Sequence, residues 1–248
     1  MKRIWPLVAL GIFAYLLFAV VTLPASVVVP RVQPEGVTIA GLDGTIWRGS
    51  AQVLQVGGTH LGSIDWSLHV LPLFTMRASA DVNLKRTDGF AKGAVSVGGQ
   101  QVDLKDLTAS IPIAALPPQV APGGWTGSVN ARLAELTLRD GWPVSANGTV
   151  DLVNLVGPAR RPANLGSFQL KFPTETQEAN TLAGTVNDVE GPIQIAGRIE
   201  LKSTDRSYLL DGLVATKPDA PADFTRTLEF LGPPDAQGRR QFSLSGTM

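Results

Sequence analysis

What most restricts this chain is an uncharged start. After Lys2 and Arg3 it runs from Ile4 to Leu23 without a charged side chain, and the next charge is Arg31. An α-helix rises about 1.5 Å per residue, so about 20 residues cross the roughly 30 Å hydrocarbon core of a bilayer. The stretch predicts a membrane-spanning helix. Pro6 falls in the first turn, where a missing N–H costs no internal hydrogen bond, and Trp5 suits the headgroup boundary. Pro24 stops the helix. A cleaved signal peptide is the competing reading, with an apolar core of about 7–15 residues and a small residue three positions before the cut. This run is longer, and bulky Leu23 stands three positions before Ser26, so an uncleaved anchor is expected. Lys2 and Arg3 on one side, against Arg31 alone on the other, put the N-terminus in the cytoplasm. Residues 1–23 then form the cytoplasmic start and anchor, and residues 24–248 an exported domain.

Beyond the anchor, apolar and polar residues mostly alternate, the period of half-buried strands. Arg77–Lys85 is the clearest case, with Ala78, Ala80, Val82 and Leu84 on one face and Arg77, Ser79, Asp81, Asn83 and Lys85 on the other. The same reading gives strands at Val37–Ala40, Thr45–Val56, Leu61–Val70, Phe90–Val97, Gln101–Ser110, Trp125–Leu138, Val144–Leu155, Gly166–Phe172, Thr181–Val189, Pro192–Lys202, Ser207–Thr216 and Gln241–Thr247. Connections are mostly short and the long helical crossovers of parallel sheets are missing. The expected fold is mainly β: an extended, curved antiparallel sheet behind the anchor, with one or two short helices. Ala222–Leu231 is the better helix, with Phe224, Leu228 and Leu231 spaced four and three apart, Asp223 in its first turn, and Gly232-Pro233-Pro234 to end it. Pro112–Leu116 has room for one turn. Within Trp125–Leu138 the apolar parity changes between Leu133 and Leu136, which predicts a β-bulge near Ala134–Glu135.

The Pro- and Gly-rich stretch 116–124 is the strongest turn or linker signal, and it divides the exported part into two β halves. A faint duplication straddles it. Trp47-Arg48-Gly49-Ser50 is echoed by Trp125-Thr126-Gly127-Ser128, and Leu61-Gly62-Ser63-Ile64 by Leu165-Gly166-Ser167-Phe168. A repeated β unit favours one continuous sheet over two separate globules.

The chain offers few groups for chemistry. Basic and acidic residues number 21 each, scattered along the chain, so there is no electrostatic footprint for nucleic acid. No cysteine is present, which removes disulfides and thiolate metal sites. The two histidines, His60 and His69, lack partners at metal-ligand spacing, and His69 falls on the strand face opposite Ile64, Trp66 and Leu68. No nucleophile elbow, phosphate loop or dinucleotide fingerprint occurs. Asp103 with Asp106, and Asp188 with Glu190, are the acidic pairs closest to acid–base or calcium spacing, but turns and solvated faces account for them. Arg239-Arg240 reads as a solvated pair beside a strand edge. No catalytic, cofactor-binding or metal-ligating set is expected. Trp47, Trp66, Trp125 and Trp142 are the largest apolar groups of the exported part, and core packing is preferred for them over an exposed contact patch. Gly49 is expected where a bulge or a close backbone approach excludes a side chain.

The run Gly41-Leu42-Asp43-Gly44-Thr45-Ile46-Trp47-Arg48-Gly49-Ser50-Ala51 resembles the Gly-Leu-x-Gly-Thr-hydrophobic-Trp-x-Gly-x-Ala segment of the type II secretion system protein N family, the general secretion pathway N family. Leu23-Pro24-Ala25, Leu61–Trp66, Gly191-Pro192, Leu210-Asp211-Gly212, Phe230–Asp235 and Gly238-Arg239-Arg240 follow in the same order as in that family, across nearly the whole chain. The resemblance implies an inner-membrane accessory of the machine that exports folded proteins across the outer membrane. The partners it implies are the inner-membrane platform with its single-pass C, L and M components, and the outer-membrane secretin. It carries over no catalytic residue.

Two functional classes follow. A structural adaptor offers sheet edges or faces to other secretion subunits. A lipid-contacting module, similar to the AsmA and TamB class of envelope proteins, presents an apolar groove to lipid. Apolar rows left uncovered favour the second, and a covering layer favours the first.

Overall fold

The computed structural model describes residues 5–70, 77–116, 124–158, 164–173, 180–218 and 220–247. The chain falls into two compact units, Met1–Thr87 and Asp88–Met248.

The first unit opens with helix α1, Trp5–Val21. It carries no charge and has no polar face, and its large side chains point outward all round, with Trp5 78%, Phe13 64% and Phe18 67% exposed. Its 17 residues span about 25 Å. Among the described residues, no helix is long and apolar enough to cross a membrane; Ile4, the first residue of the expected span, lies outside them. Pro24 ends α1 as expected, but the chain re-enters a helix at once: α2 runs Ala25–Val32, where the sequence pattern gave no element. Val27-Val28-Val29-Pro30 is a poor helix former. Tertiary packing overrides that preference, since α2 lies against the first strand and Ala25 is fully buried. The Arg31 guanidinium donates to the Val27 carbonyl in the last turn, where a cation suits the helix dipole.

Four strands follow in chain order: β1 (Val37–Gly44), β2 (Arg48–Val56), β3 (Thr59–His69) and β4 (Ala78–Lys85), each antiparallel to the next. The expected strand Thr45–Val56 starts three residues too early. Thr45–Trp47 is a turn, closed by the Thr45 N–H to the Arg48 carbonyl at 2.9 Å and by the Arg48 N–H to Thr45 Oγ1 at 3.2 Å.

Among the described residues the second unit is an antiparallel meander of nine strands: β5 (Phe90–Gly98), β6 (Gln101–Pro112), β7 (Thr126–Arg139), β8 (Trp142–Val156), β9 (Asn164–Phe172), β10 (Thr181–Glu190), β11 (Ile193–Lys202), β12 (Ser207–Thr216) and β13 (Arg240–Thr247). A single 3₁₀ turn, Ile113–Ala115, forms within Pro112–Leu116, and α3 (Ala222–Glu229) forms within Ala222–Leu231. Most of stretch 116–124 lies outside the described residues. The strands flanking it, β6 and β7, pair from Gln101↔Arg139 to Pro112↔Ser128. One apolar face carries the core of this unit. Leu133, Ala146, Phe172 and Leu182 are buried there, and Leu107, Leu136, Val150, Leu170, Ile199 and Leu201 pack around them.

The predicted bulge is present. Leu133 pairs with Gly148 and Glu135 with Asn147, so Ala134 is the extra residue on β7. It resets the parity, which lets both Leu133 and Leu136 reach the same core. One of the sequence echoes has a shared structural cause as well. Gly62 and Gly166 each sit at a register shift, with φ of +99° and +102°, and a Cβ there would lie 2.3 Å from the Lys85 carbonyl oxygen and 2.1 Å from that of Glu190. Leu-Gly-Ser marks the same bulged approach in both units.

Candidate functional site

The Gly41–Ala51 segment lies where α1 meets the four-stranded sheet. Gly44 closes β1 with φ +83°, and a Cβ there would sit 2.6 Å from the Arg48 carbonyl oxygen. The Asp43 carboxylate accepts the Gly44 N–H at 2.8 Å, an arrangement that favours a turn over continued strand. The turn then reaches back to the helix. The Ile46 N–H donates to the Leu23 carbonyl at 3.0 Å, Pro24 bridges Thr45, and the Trp47 indole N–H donates to the Val20 carbonyl at 2.8 Å. Carbonyls in the last turn of a helix have no internal partner. Trp47, 27 residues further on, therefore caps α1 from the sheet.

A second tryptophan locks the turn from the other side. The Trp66 indole N–H donates to the Ile46 carbonyl at 3.1 Å, and the Leu68 N–H donates to the Trp47 carbonyl at 2.7 Å. Trp66 pairs with Gly49 across the β2–β3 ladder, and a Cβ on Gly49 would fall 2.6 Å from the Trp66 ring and 2.7 Å from the Asp43 carbonyl oxygen. The close approach expected at Gly49 is thus a tryptophan ring stacked over bare backbone. Ala25 and Ala51 are buried to 0% and 1% exposure. Core packing describes Trp142, which is buried, while Trp47, Trp66 and Trp125 are half-buried. The indole–carbonyl link of Trp47 was missed from sequence. Its only signal there was a tryptophan set between Gly44 and Gly49.

The residues screened for chemistry are dispersed. The His69 Nε2 lies 3.1 Å from the Asp81 carboxylate on the exposed surface of the β3–β4 ladder. His60 lines a hollow of about 410 Å³ beside Lys85 and Arg86; the Arg86 guanidinium donates to the His60 carbonyl at 2.5 Å, and Lys85 pairs with Asp65 at 2.7 Å. Asp103 accepts from Gln101 Nε2 at 2.8 Å and from the Thr137 hydroxyl at 2.9 Å, a structural bracket across β6 and β7. Asp106 holds φ +51° at the β5–β6 register shift. Arg239 grips Asp235 with two N–H groups at 2.9 Å, and Arg240 donates to the Gly232 carbonyl. Among the described residues, no three of His, Asp and Glu stand close enough to hold a metal ion.

Asp188 links separate parts of the second unit. It accepts the Lys217 ammonium at 2.8 Å and the Ile195 N–H at 3.0 Å, tying the end of β10 to β11 and to the chain after β12. Burial opposes its ionisation, but the Lys217 ammonium and the Ile195 N–H outweigh that, and its carboxyl titrates below the usual range. A depressed folded-state pKa stabilises the fold above the ordinary carboxylate value of about 3.9, and that contribution is lost as pH falls through the folded value. Lys217→Met is expected to cost about 1–3 kcal/mol in urea unfolding at pH 7, and much less near pH 2. An equal loss at both pH values would show that the ion pair is idle.

The family model for type II secretion system protein N matches residues 35–243. The chain is 28% identical to the type II secretion system protein N of Aeromonas hydrophila, over 96% of each chain. It is 26% identical to that of Vibrio cholerae serotype O1 over 92% of each chain, and 24% identical to that of Pectobacterium carotovorum over 96% of this chain and 94% of the relative. No solved structure matches. With the family model covering most of the chain and the matches including the tryptophan–glycine turn, this chain belongs to the type II secretion system protein N family.

Proposed function

We propose that this component of the type II secretion system is a non-enzymatic accessory subunit, anchored in the inner membrane by α1 and working as an adaptor through its strands in the periplasm. The anchor comprises residues 1–23 and the periplasmic part residues 24–248. The observation that carries this reading is the bond from the Trp47 indole to the Val20 carbonyl. It ties an uncharged helix with no polar face rigidly to the first sheet through the turn that carries the family's segment. A helix that is apolar all round is buried in protein or in lipid, and α1 is exposed on all sides. The platform proteins C, L and M and the secretin are the partners this family membership suggests.

The test is topological. A reporter active only in the periplasm, fused after Met248, is expected to be active, carbonate extraction to leave the protein in the membrane, and mass spectrometry to find a start at residue 1 or 2. Cytoplasmic activity of the fusion, or a start near Ser26, would end the anchored model. The non-enzymatic part has its own check. Alanine at His60, His69, Asp103, Asp106, Asp188 or Glu190 is expected to leave secretion near normal wherever the protein level holds. Loss of a true general acid or base typically costs ~10²–10⁴ in rate, and such a loss with native folding and native crosslinks to partners would overturn it.

One observation favours lipid contact as a second reading. Among the described residues, no second sheet covers the apolar face of β5–β13, and α3 packs against β12. Co-purified lipid detected by native mass spectrometry would support that reading, and its absence would favour the adaptor.

A further inference from the structure

A cleft of about 210 Å³ lies in the second unit, where the β7–β8 hairpin meets the turns before β10 and after β11. Its chemistry is one-sided. Arg139 and Arg206 bring two guanidiniums to its lining against one carboxylate, Asp140, which leaves it net positive in a chain of zero net charge. Among the described residues the Arg139 side chain has no ion-pair or hydrogen-bond partner, and Arg206 commits one N–H to the Asp140 carbonyl at 3.4 Å. The Asn180 carbonyl is already taken by the Ser203 N–H at 2.9 Å and the Ser203 hydroxyl at 3.2 Å. Donors are therefore in surplus.

The back of the cleft sharpens the assignment. Trp142 lines it, is 9% exposed, and buries an indole N–H that has no acceptor among the described residues. Buried N–H groups almost always find a partner, so this one stands out. Trp142 is part of the cleft lining, so its ring senses what enters there. Trp142 and Val144 also make one wall apolar. A guanidinium pair is matched by a planar acceptor that takes parallel hydrogen bonds, and an apolar wall beside it is matched by a short hydrocarbon stem.

We infer that this cleft binds a carboxylate carried on a short apolar stem, as a peptide presents at its C-terminus or on a glutamate side chain. The assignment goes beyond the adaptor reading and stands on the cleft alone. The five tryptophans give five indole N–H signals in the full chain, labelled with ¹⁵N and held in detergent, and Trp142→Phe identifies the signal of Trp142. N-acetyl-leucine is expected to move that signal saturably and leave the other four in place, and N-acetyl-leucine amide to move none. N-acetyl-glutamate α-amide is the side-chain mimic, and the tighter of the two acids identifies the source. Arg139→Gln and Arg206→Gln are each expected to weaken saturation by about tenfold, the usual loss with a charge-assisted hydrogen bond, while unmoved signals from the other tryptophans report intact folding. No saturable shift with either acid overturns the proposal. So does equal occupation by inorganic phosphate, or undiminished binding in both glutamine variants.

Discussion

Replacing Gly166 with alanine is expected to destabilise the second unit by about 2–5 kcal/mol, the sum of two independent penalties. The first is conformational: φ is +102°, where an L side chain is strained by about 1–3 kcal/mol. The second is steric. The new Cβ would stand 2.1 Å from the Glu190 carbonyl oxygen and 2.8 Å from the Gly191 Cα, all of it backbone, with no flexible side chain to give way. Relief requires β9 and β10 to part at the point where β9 also shifts register against β8. Folded domains hold only about 5–15 kcal/mol, so the urea midpoint should fall sharply and protein level with it. Gly62→Ala carries the same pair of penalties in the first unit, from φ +99° and the Lys85 carbonyl oxygen at 2.3 Å. Gly232→Ala is the control. Its φ is +101° but its Cβ meets open space, so only the conformational part, about 1–3 kcal/mol, should appear. If Gly166→Ala unfolds at the native midpoint, the bulge tolerates a side chain and the close approach has no energetic weight.

The strands were legible because alternation of period two is written residue by residue, and short connections leave sequential pairing as the simplest outcome. The bulge at Ala134 was legible for the same reason: a parity change is visible in a single strand. Elements that depend on distant partners were not. Helix α2 defies its own composition, and only the packing of Ala25 and the neighbouring β1 explains it. The turn at Thr45–Trp47 was read as strand because its apolar residues continue the pattern, while the groups that close it are backbone atoms and the hydroxyl of Thr45. The junction was half legible: the glycine–tryptophan segment stood out, but its partner, the Val20 carbonyl, is a backbone group that no side-chain pattern announces. The cleft at Trp142 was illegible because it gathers residues from three separate turns, spread from Arg139 to Arg206.

The junction should fail in stages as Trp47 is trimmed. Trp47→Phe keeps an aromatic ring and removes the N–H, which leaves the Val20 carbonyl with only the Leu23 N–H at 3.4 Å. A side chain-to-backbone hydrogen bond contributes about 0.5–1.5 kcal/mol net, so the phenylalanine variant should fold, accumulate, and show faster protease cleavage between α1 and β1. Trp47→Ala loses the ring as well. Full burial would make that worth about 3–5 kcal/mol, but the ring is half-buried, so about 2–3 kcal/mol is expected, enough to lower protein level as well as secretion. Three results are distinguishable. If the alanine variant accumulates and melts like wild type yet does not secrete, Trp47 is a contact for a partner and not a strut. If phenylalanine secretes normally and resists protease like wild type while alanine fails, ring packing holds the junction and the indole–carbonyl bond is incidental. If both secrete normally, helix and sheet work without a rigid link, and the adaptor reading loses the observation that carries it.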